Sequence, residues 1–387
     1  MDLMFVAGEA SGDAHAAELI SELRGRHPNL RFFGCGGPQM AAAGCELLVS
    51  TDDLAVMGLV EVLRHLPRLH ALLRRLRRAL RDRRPAAVIL VDFPDFNLRL
   101  AASARAAGIP AIYFISPQLW AWRSGRVREV RRNVRRMICI FPFEPAFYAQ
   151  HGIEVAHVGH PLVERMEKVR NDLPSGSQFR QNFGLSQSSP LVALLPGSRR
   201  REIEMHLQPM LDAAVLLAKV QPAEFLLALA PGYRQEEFSS RIPELLRNHL
   251  RFIPADQRFA ALTHARLAFV ASGTATVETA LLGTPMVVIY RVAPLTYWLA
   301  RGMVRTTHVA MVNLIAGKQV VPELLQSQCA PLAIAAAARP LLSDGPERSQ
   351  MLAAIAHVRQ LLGAPGAISR AADEIEPFLV APRTQLQ

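Results

Sequence analysis

No apolar run among the 387 residues is long enough to cross a bilayer, which excludes a membrane-spanning helix of ordinary length. The chain passes from Met1 and Asp2 directly into LMFVA, with neither a basic region nor a small-residue cleavage site, so no signal peptide is read and a cytoplasmic protein is expected. Cysteine is scarce: Cys35, Cys45, Cys139 and Cys329 lie too far apart for a metal site or a redox pair, and buried free thiols are expected. The histidines form no pair at metal-ligand spacing within a helix, and His157 with His160 read as part of a turn between domains. Aromatic residues are few and not interleaved with the arginines, which argues against a surface that stacks nucleic-acid bases. The first strand–helix junction lacks Gly-x-Gly-x-x-Gly, so a nicotinamide-dependent oxidoreductase would be missing its phosphate fingerprint.

Arginine, by contrast, is plentiful and drives a net charge of +11. Much of it falls in Arg68–Arg84 and Arg123–Arg136, and charge alone admits nucleic acid, anionic lipid or phosphorylated small molecules as partners. Pro67 suits a helix start; beyond it Leu69, Leu72, Leu73, Leu76 and Leu80 share one face, and Arg68, Arg74, Arg75, Arg78 and Arg81 take much of the rest. That pattern fits a basic amphipathic helix on an anionic membrane and equally a crossover helix packing on the strand AAVILVDF.

Strand-like runs alternate with helical patterns: LMFVA, LRFFG, AVILVDF, AIYFIS, MICIF and VAHVG, then LVALLPG, FLLALAPG, LRFIP, LAFVASG and MVVIY. The alternation predicts an α/β chain of two Rossmann-like domains with parallel sheets. The polar stretch His160–Pro190 predicts a linker followed by a short helix, giving residues 1–165 as an N-terminal acceptor and membrane-facing domain, 166–345 as a nucleotide-sugar domain, and 346–387 as a helical segment with a tail.

Three strand–helix junctions differ in charge. GEASGD carries Glu9, Ser11 and Asp13, placing two carboxylates where a phosphate would have to sit. LPGSRRR offers Gly197, Ser198 and Arg199, and FVASGTATVE offers Ser272, Gly273 and Thr274 before the first acid, Glu278. Hydroxyls, helix-start N–H groups and an arginine suit a diphosphate, so the second domain reads as the anion-binding half. Asp92 and Asp95 in VDFPDFN end a first-domain strand, where a carboxylate can take a proton from an attacking hydroxyl. Any one of these acids could equally be a helix cap.

The ordered set GEASGD, VMGLVEVLRHLPRL, DFPDFN, SPQLWAW, FPFE, VGHPL, LLPGSR, SGTATVE and NLIAG followed by VPELLQ resembles the lipid A disaccharide synthase family, with matching blocks from residue 3 to 330. The resemblance implies an inverting glycosyltransferase of the GT-B fold, its two Rossmann-like domains facing across a cleft. It implies transfer of 2,3-diacylglucosamine from UDP-2,3-diacylglucosamine to 2,3-diacylglucosamine 1-phosphate, giving a β-1,6-linked disaccharide and UDP. The setting it implies is peripheral attachment at the cytoplasmic face of the inner membrane of Gram-negative bacteria. By resemblance, Arg199 and Asn313 bear on activity, Glu278 holds the ribose hydroxyls, and Asp95 is the expected general base, with Asp92 and Asp13 as alternatives. Glu9, Ser11 and Asp13 are expected to shape the acceptor side, and Arg123 to meet the acceptor's 1-phosphate. Ala16 and Val312 depart from the glycine and proline frequent in the family. No metal, no cofactor and no nucleic-acid partner is expected, and the oligomeric state stays open between monomer and homodimer. The nearest alternatives are a muramyl-pathway N-acetylglucosaminyltransferase or a UDP-sugar epimerase on the same scaffold.

Overall fold

The computed structural model describes residues 1–51, 62–121, 124–293, 297 and 306–380. The chain divides into two compact units, Met1–Pro161 with Ala364–Gln387, and Leu162–Gly363.

The first unit is built on a seven-stranded parallel sheet: β1 (Asp2–Ala7), β2 (Arg31–Gly36), β3 (Cys45–Ser50), β4 (Ala87–Val91), β5 (Ala111–Phe114), β6 (Arg136–Cys139) and β7 (Ala156–His157). Their spatial order is β3-β2-β1-β4-β5-β6-β7. The second unit holds β8 (Leu191–Leu195), β9 (Glu224–Ala228), β10 (Leu250–Ile253), β11 (Leu267–Ala271), β12 (Met286–Tyr290) and β13 (Glu323–Leu325), in the order β10-β9-β8-β11-β12-β13. All strand pairs in both sheets are parallel. Parallel sheets are covered on both faces, so β4, β8 and β11 are buried throughout and read in sequence as unbroken apolar runs. The edge strands β3 and β13, which the sequence pattern passes over, are only partly buried. In β2, Gly34 holds φ +151 beside β1; a Cβ there would stand 1.9 Å from the Phe5 carbonyl oxygen, so no other residue fits.

The leucine-rich helix runs Val62–Arg83, so it starts before Pro67 rather than at it. Leu73, Leu76 and Leu80 are buried in the core with β4 residues Val88 and Leu90, and Leu69 and Leu72 pack against that core. Its apolar face is therefore crossover-helix core, and its exposed side carries Arg74, Arg75, Arg78 and Arg81. The upstream block VMGLVEVL lies largely outside the described residues.

The stretch expected as a linker is mostly helical. Leu162–Asp172 buries Leu162, Val163 and Met166 and packs against the helix Thr274–Leu282. Gly176–Asn182 follows, capped by Ser175 Oγ, which accepts from Gln178 N–H at 3.3 Å. The units thus part at Pro161/Leu162, not at 165/166. Nor does the end of the chain form a segment of its own. The helix Pro346–Leu361 belongs to the second unit, where it buries Met351, Ile355 and Val358. The helix Ala367–Ile375 belongs to the first and packs on the helix Ala10–Arg26. There Arg26 binds Asp373 at 2.6 Å, Ser369 Oγ at 2.6 Å and Glu376 at 3.1 Å, while Arg136 binds Glu374 at 2.6 Å.

Candidate active site

In an open α/β sheet, ligands bind beyond the carboxyl ends of the strands where strand order reverses. The first sheet reverses between β1 and β4, the second between β8 and β11. The junctions singled out in the sequence lie at these two places.

In the first unit, β1 leads into buried Gly8 and exposed Glu9 and Ser11. Gly8 must be glycine: a Cβ would meet the Phe93 ring at 2.4 Å. Beside it β4 ends in Asp92 and Phe93, consecutive non-glycine residues at φ 46 and φ 49. Such backbone costs about 1–3 kcal/mol per residue and persists only when its surroundings enforce it. Asn97 and Tyr113 do so. Asn97 Nδ2 donates to the carbonyls of Asp92 at 2.8 Å, Val91 at 3.2 Å and Val6 at 3.3 Å, and the Tyr113 hydroxyl also donates to the Asp92 carbonyl. The turn sets the Asp92 carboxyl half-buried. Burial first, and the Glu9 carboxylate second, raise its pKa to about 6 against the opposing Phe93 N–H.

The other acids have different partners. Asp95 begins the helix Pro94–Ala106, is exposed, and pairs with Arg126 at 2.5 Å. Asp13 is buried and accepts the N–H groups of Gly37 at 2.7 Å, Gln39 at 3.0 Å and Met40 at 3.1 Å. It caps the helix Pro38–Ala42, which ties it into the fold. Arg123 lies outside the described residues.

Three of the motifs that carry the family resemblance meet in the interior of the same unit. Glu144 of FPFE is fully buried, and its Oε2 accepts from Ile140 and Phe141 N–H at 3.1 and 3.0 Å. Burial pushes its pKa up to about 7. Ser116 of SPQLWAW bonds the Tyr148 hydroxyl at 2.8 Å. His160 of VGHPL stacks edge-on against Phe141 and His15, with centroids 5.1 and 6.3 Å away, and burial, helped by His15, lowers its pKa to about 3. It is buried, and it stands in the irregular segment between β7 and the helix Leu162–Asp172, where the sequence pattern puts a turn.

In the second unit, β8 is followed by Pro196, Gly197 (φ +127), Ser198 and Arg199. The N–H groups of Ser198 and Arg199, expected to stand free, donate instead to Glu202 Oε2 at 3.0 and 3.2 Å. Buried His206 braces the loop: Nδ1 meets the Pro196 carbonyl at 3.0 Å, and Nε2 accepts the Arg291 N–H at 2.9 Å, which fixes the neutral tautomer. After β11, Ser272 Oγ donates to the Val309 carbonyl at 3.1 Å, and Gly273 (φ +153) and exposed Thr274 open the helix Thr274–Leu282. A Cβ at Gly273 would meet nothing within 4 Å, so a ligand has room against this backbone. Buried Glu278 pairs with Arg258 at 2.7 Å.

Asn313, expected to be catalytic, is fully buried. Its Oδ1 accepts from Val320 and Val321 N–H at 2.8 and 3.0 Å, and its Nδ2 donates to the Val321 carbonyl at 3.0 Å. Both ends of the amide are thus committed to its own loop, which it latches. Glu323 completes the arrangement by accepting from Val309 and Ala310 N–H at 3.1 and 2.8 Å. A cavity of ≈530 Å³ lined by Arg180, Arg266 and Arg348 lies near the starts of β8 and β11, at the opposite end of the strands. Among the described residues, no three His, Cys, Asp or Glu side chains gather as a metal site requires.

Two parallel-sheet Rossmann-like domains define the GT-B class, which glycosyltransferases share with nucleotide-sugar epimerases. Solved structures agree on the fold. The UDP-GlcNAc 2-epimerase from Neisseria meningitidis bound to UDP-GlcNAc superposes with a TM-score of 0.68 at 15% identity, over 97% of this chain and 100% of that one. CalG4, the calicheamicin glycosyltransferase, gives 0.60 at 18% identity, over 98% and 99%. The family model described as Lipid-A-disaccharide synthetase matches residues 3–372, so the chain belongs to that family of glycosyltransferases. It is similar to the lipid-A-disaccharide synthases of Myxococcus xanthus (strain DK1622), 44% identical over 379 residues and 97% of both chains, and Acidobacterium capsulatum, 43% identical over 386 residues, 94% of this chain and 92% of that one.

Proposed function

We propose that the protein joins UDP-2,3-diacylglucosamine to 2,3-diacylglucosamine 1-phosphate, releasing UDP and forming the β-1,6-linked lipid A disaccharide 1-phosphate. The observation that carries this reading is the opposite chemistry of the two switch points. Inversion needs a base for the acceptor 6-hydroxyl and donors for the charge growing on the departing diphosphate. Gly273, Thr274, Ser198 and Arg199 supply the donor side, and Glu278, in the helix that Thr274 opens, takes the ribose in this reading.

For the base, the geometry favours Asp92 over Asp95. Asp95 is exposed and tied to Arg126, whereas Asp92 sits at the β1/β4 reversal with a pKa of about 6, so it is ionised near neutrality yet basic enough to accept a proton. Glu9 keeps that proton affinity high, and Ser11 lies on the same loop for acceptor hydroxyls. Asp95 with Arg126, and Arg123 next to the SPQLWAW motif, fall to acceptor positioning. Exposed Arg74, Arg75, Arg78 and Arg81 offer an anionic leaflet about 1 kcal/mol each, which suits peripheral attachment at the cytoplasmic face of the inner membrane.

Transfer assays test the assignment. Asp92→Asn should lose about two to four orders of magnitude in kcat with little change in KM, the usual worth of a general base. Wild-type activity should rise with pH through about 6 as Asp92 ionises, and Asp95→Asn should keep that acid limb. Near-normal turnover by Asp92→Asn, or activity on unacylated donors equal to that on acylated ones, refutes the reading.

A further inference from the structure

The N–H groups that open the helix Arg200–Ala218 already carry an anion, and it is the protein's own. Glu202 Oε2 accepts from Ser198 N–H at 3.0 Å and Arg199 N–H at 3.2 Å, while Oε1 stands 3.5 Å from Arg199 Nη1. The side chain folds back over Gly197, where a Cβ would lie 2.6 Å from Glu202 Cβ and 2.8 Å from its Oε2. Glycine at 197 is what lets the carboxylate reach the loop. Its charge is also felt across the sheet. Tyr290 ends β12, separated from β8 by β11, and its hydroxyl pKa is raised by burial first and by Glu202 second. Glu202 thus projects its charge over the β8/β11 switch point.

We propose that Glu202 is a built-in stand-in for the nucleotide's diphosphate, filling the β8 loop in the empty enzyme and displaced when UDP or its sugar conjugate docks. The proposal rests on the reading that the second unit's switch-point loops hold UDP. Carboxylate and diphosphate oxygens are acceptors for the same pair of N–H groups and the same guanidinium. Both are anions that would have to occupy the same two N–H groups, so they repel and one displaces the other. Three consequences follow from the exchange. The loop keeps its shape and its hydrogen bonds without ligand, Arg199 is handed from Glu202 to the phosphates on binding, and UDP is held less tightly than the bare loop would hold it. An enzyme that must shed UDP every turnover gains speed from that last effect.

Calorimetry with UDP on the full chain decides the matter. Glu202→Gln keeps an oxygen acceptor for the Ser198 and Arg199 N–H groups but removes the competing charge. It should bind UDP on the order of tenfold tighter, the scale on which a charged hydrogen-bond acceptor outcompetes a neutral one. UDP release by stopped flow should slow in proportion. A merely structural cap would leave affinity unchanged in Glu202→Gln, and a residue that positions Arg199 for the phosphates would weaken it; either result overturns the proposal. Arg199→Ala and Gly273→Val, measured beside it, separate the two levels of the argument. If neither weakens UDP binding, the donor site itself is misplaced; if they weaken it and Glu202→Gln does not tighten it, only the stand-in falls.

Discussion

Asn97 and Asn313 are both fully buried amides, and each fastens a loop, Asn97 the one that follows β4 and Asn313 the one that enters β13. Asn97 clamps the left-handed turn that aims Asp92; Asn313 closes the turn through Val320 and Val321. A motif shows only that an amide or acid is present, and its hydrogen-bond partners come from residues distant in sequence. That is why Asp13 and Asn313 could not be sorted into cap and latch before the fold was known, while the Ser-Gly-Thr run at 272–274 could be read at once as a helix start. His160 makes a testable case. Its folded pKa of about 3 lies below the ordinary 6.5, so the stability it confers is complete above pH 6.5 and is lost as pH falls, at about 1.4 kcal/mol per pH unit. Glu144, raised to about 7, works the other way, its contribution fading as pH rises from 4.5 through 7. Thermal melts of His160→Phe between pH 4 and 7 should show a shallower acid slope than wild type, whatever the absolute Tm. An unaltered slope would assign the acid sensitivity elsewhere.

At the scale of elements, the helix Val62–Arg83 resolves an ambiguity that periodicity alone leaves standing. A leucine stripe opposite an arginine stripe looks the same whether the leucines meet a sheet or a lipid; only the neighbours decide, and they are core residues. The two faces therefore respond differently to substitution. Leu76→Ala, at a fully buried position, should cost about 2–5 kcal/mol in denaturant unfolding. Replacing Arg74, Arg75, Arg78 and Arg81 together by Glu should leave the unfolding curve in place and abolish sedimentation with anionic vesicles. If the vesicles still bind that variant, the attachment surface lies elsewhere. The strands were legible for a related reason: central parallel strands are apolar on both faces, whereas β3 and β13 at the edges are not. The helix Leu162–Asp172 was hidden by its charged outer face, since only Leu162, Val163 and Met166 point inward.

For the molecule as a whole, composition and alternation disclosed two α/β domains but not that the first is assembled from both ends of the chain. The return helix Ala367–Ile375 buries Ala367, Ala371, Ala372 and Ile375 and meets Arg26 and Arg136 with its acids. The ion pairs are partly exposed and worth about 0–1 kcal/mol each, so the apolar side carries more of the docking. Ending the chain after Gly363 should lower the calorimetric transition of the first unit and leave that of the second where it is. Equal shifts in both, or none, would contradict the division.

That return also orders events on the ribosome. Residues 162–363 emerge as one uninterrupted block and can close on themselves at once, although their unit comes second in the chain. The N-terminal sheet must wait for its last helix through about 200 intervening residues, roughly 10–40 s at bacterial elongation rates of about 5–20 residues per second. For that interval the surface of Ala10–Arg26 that later receives the helix is bare, and the nascent chain is open there to a chaperone.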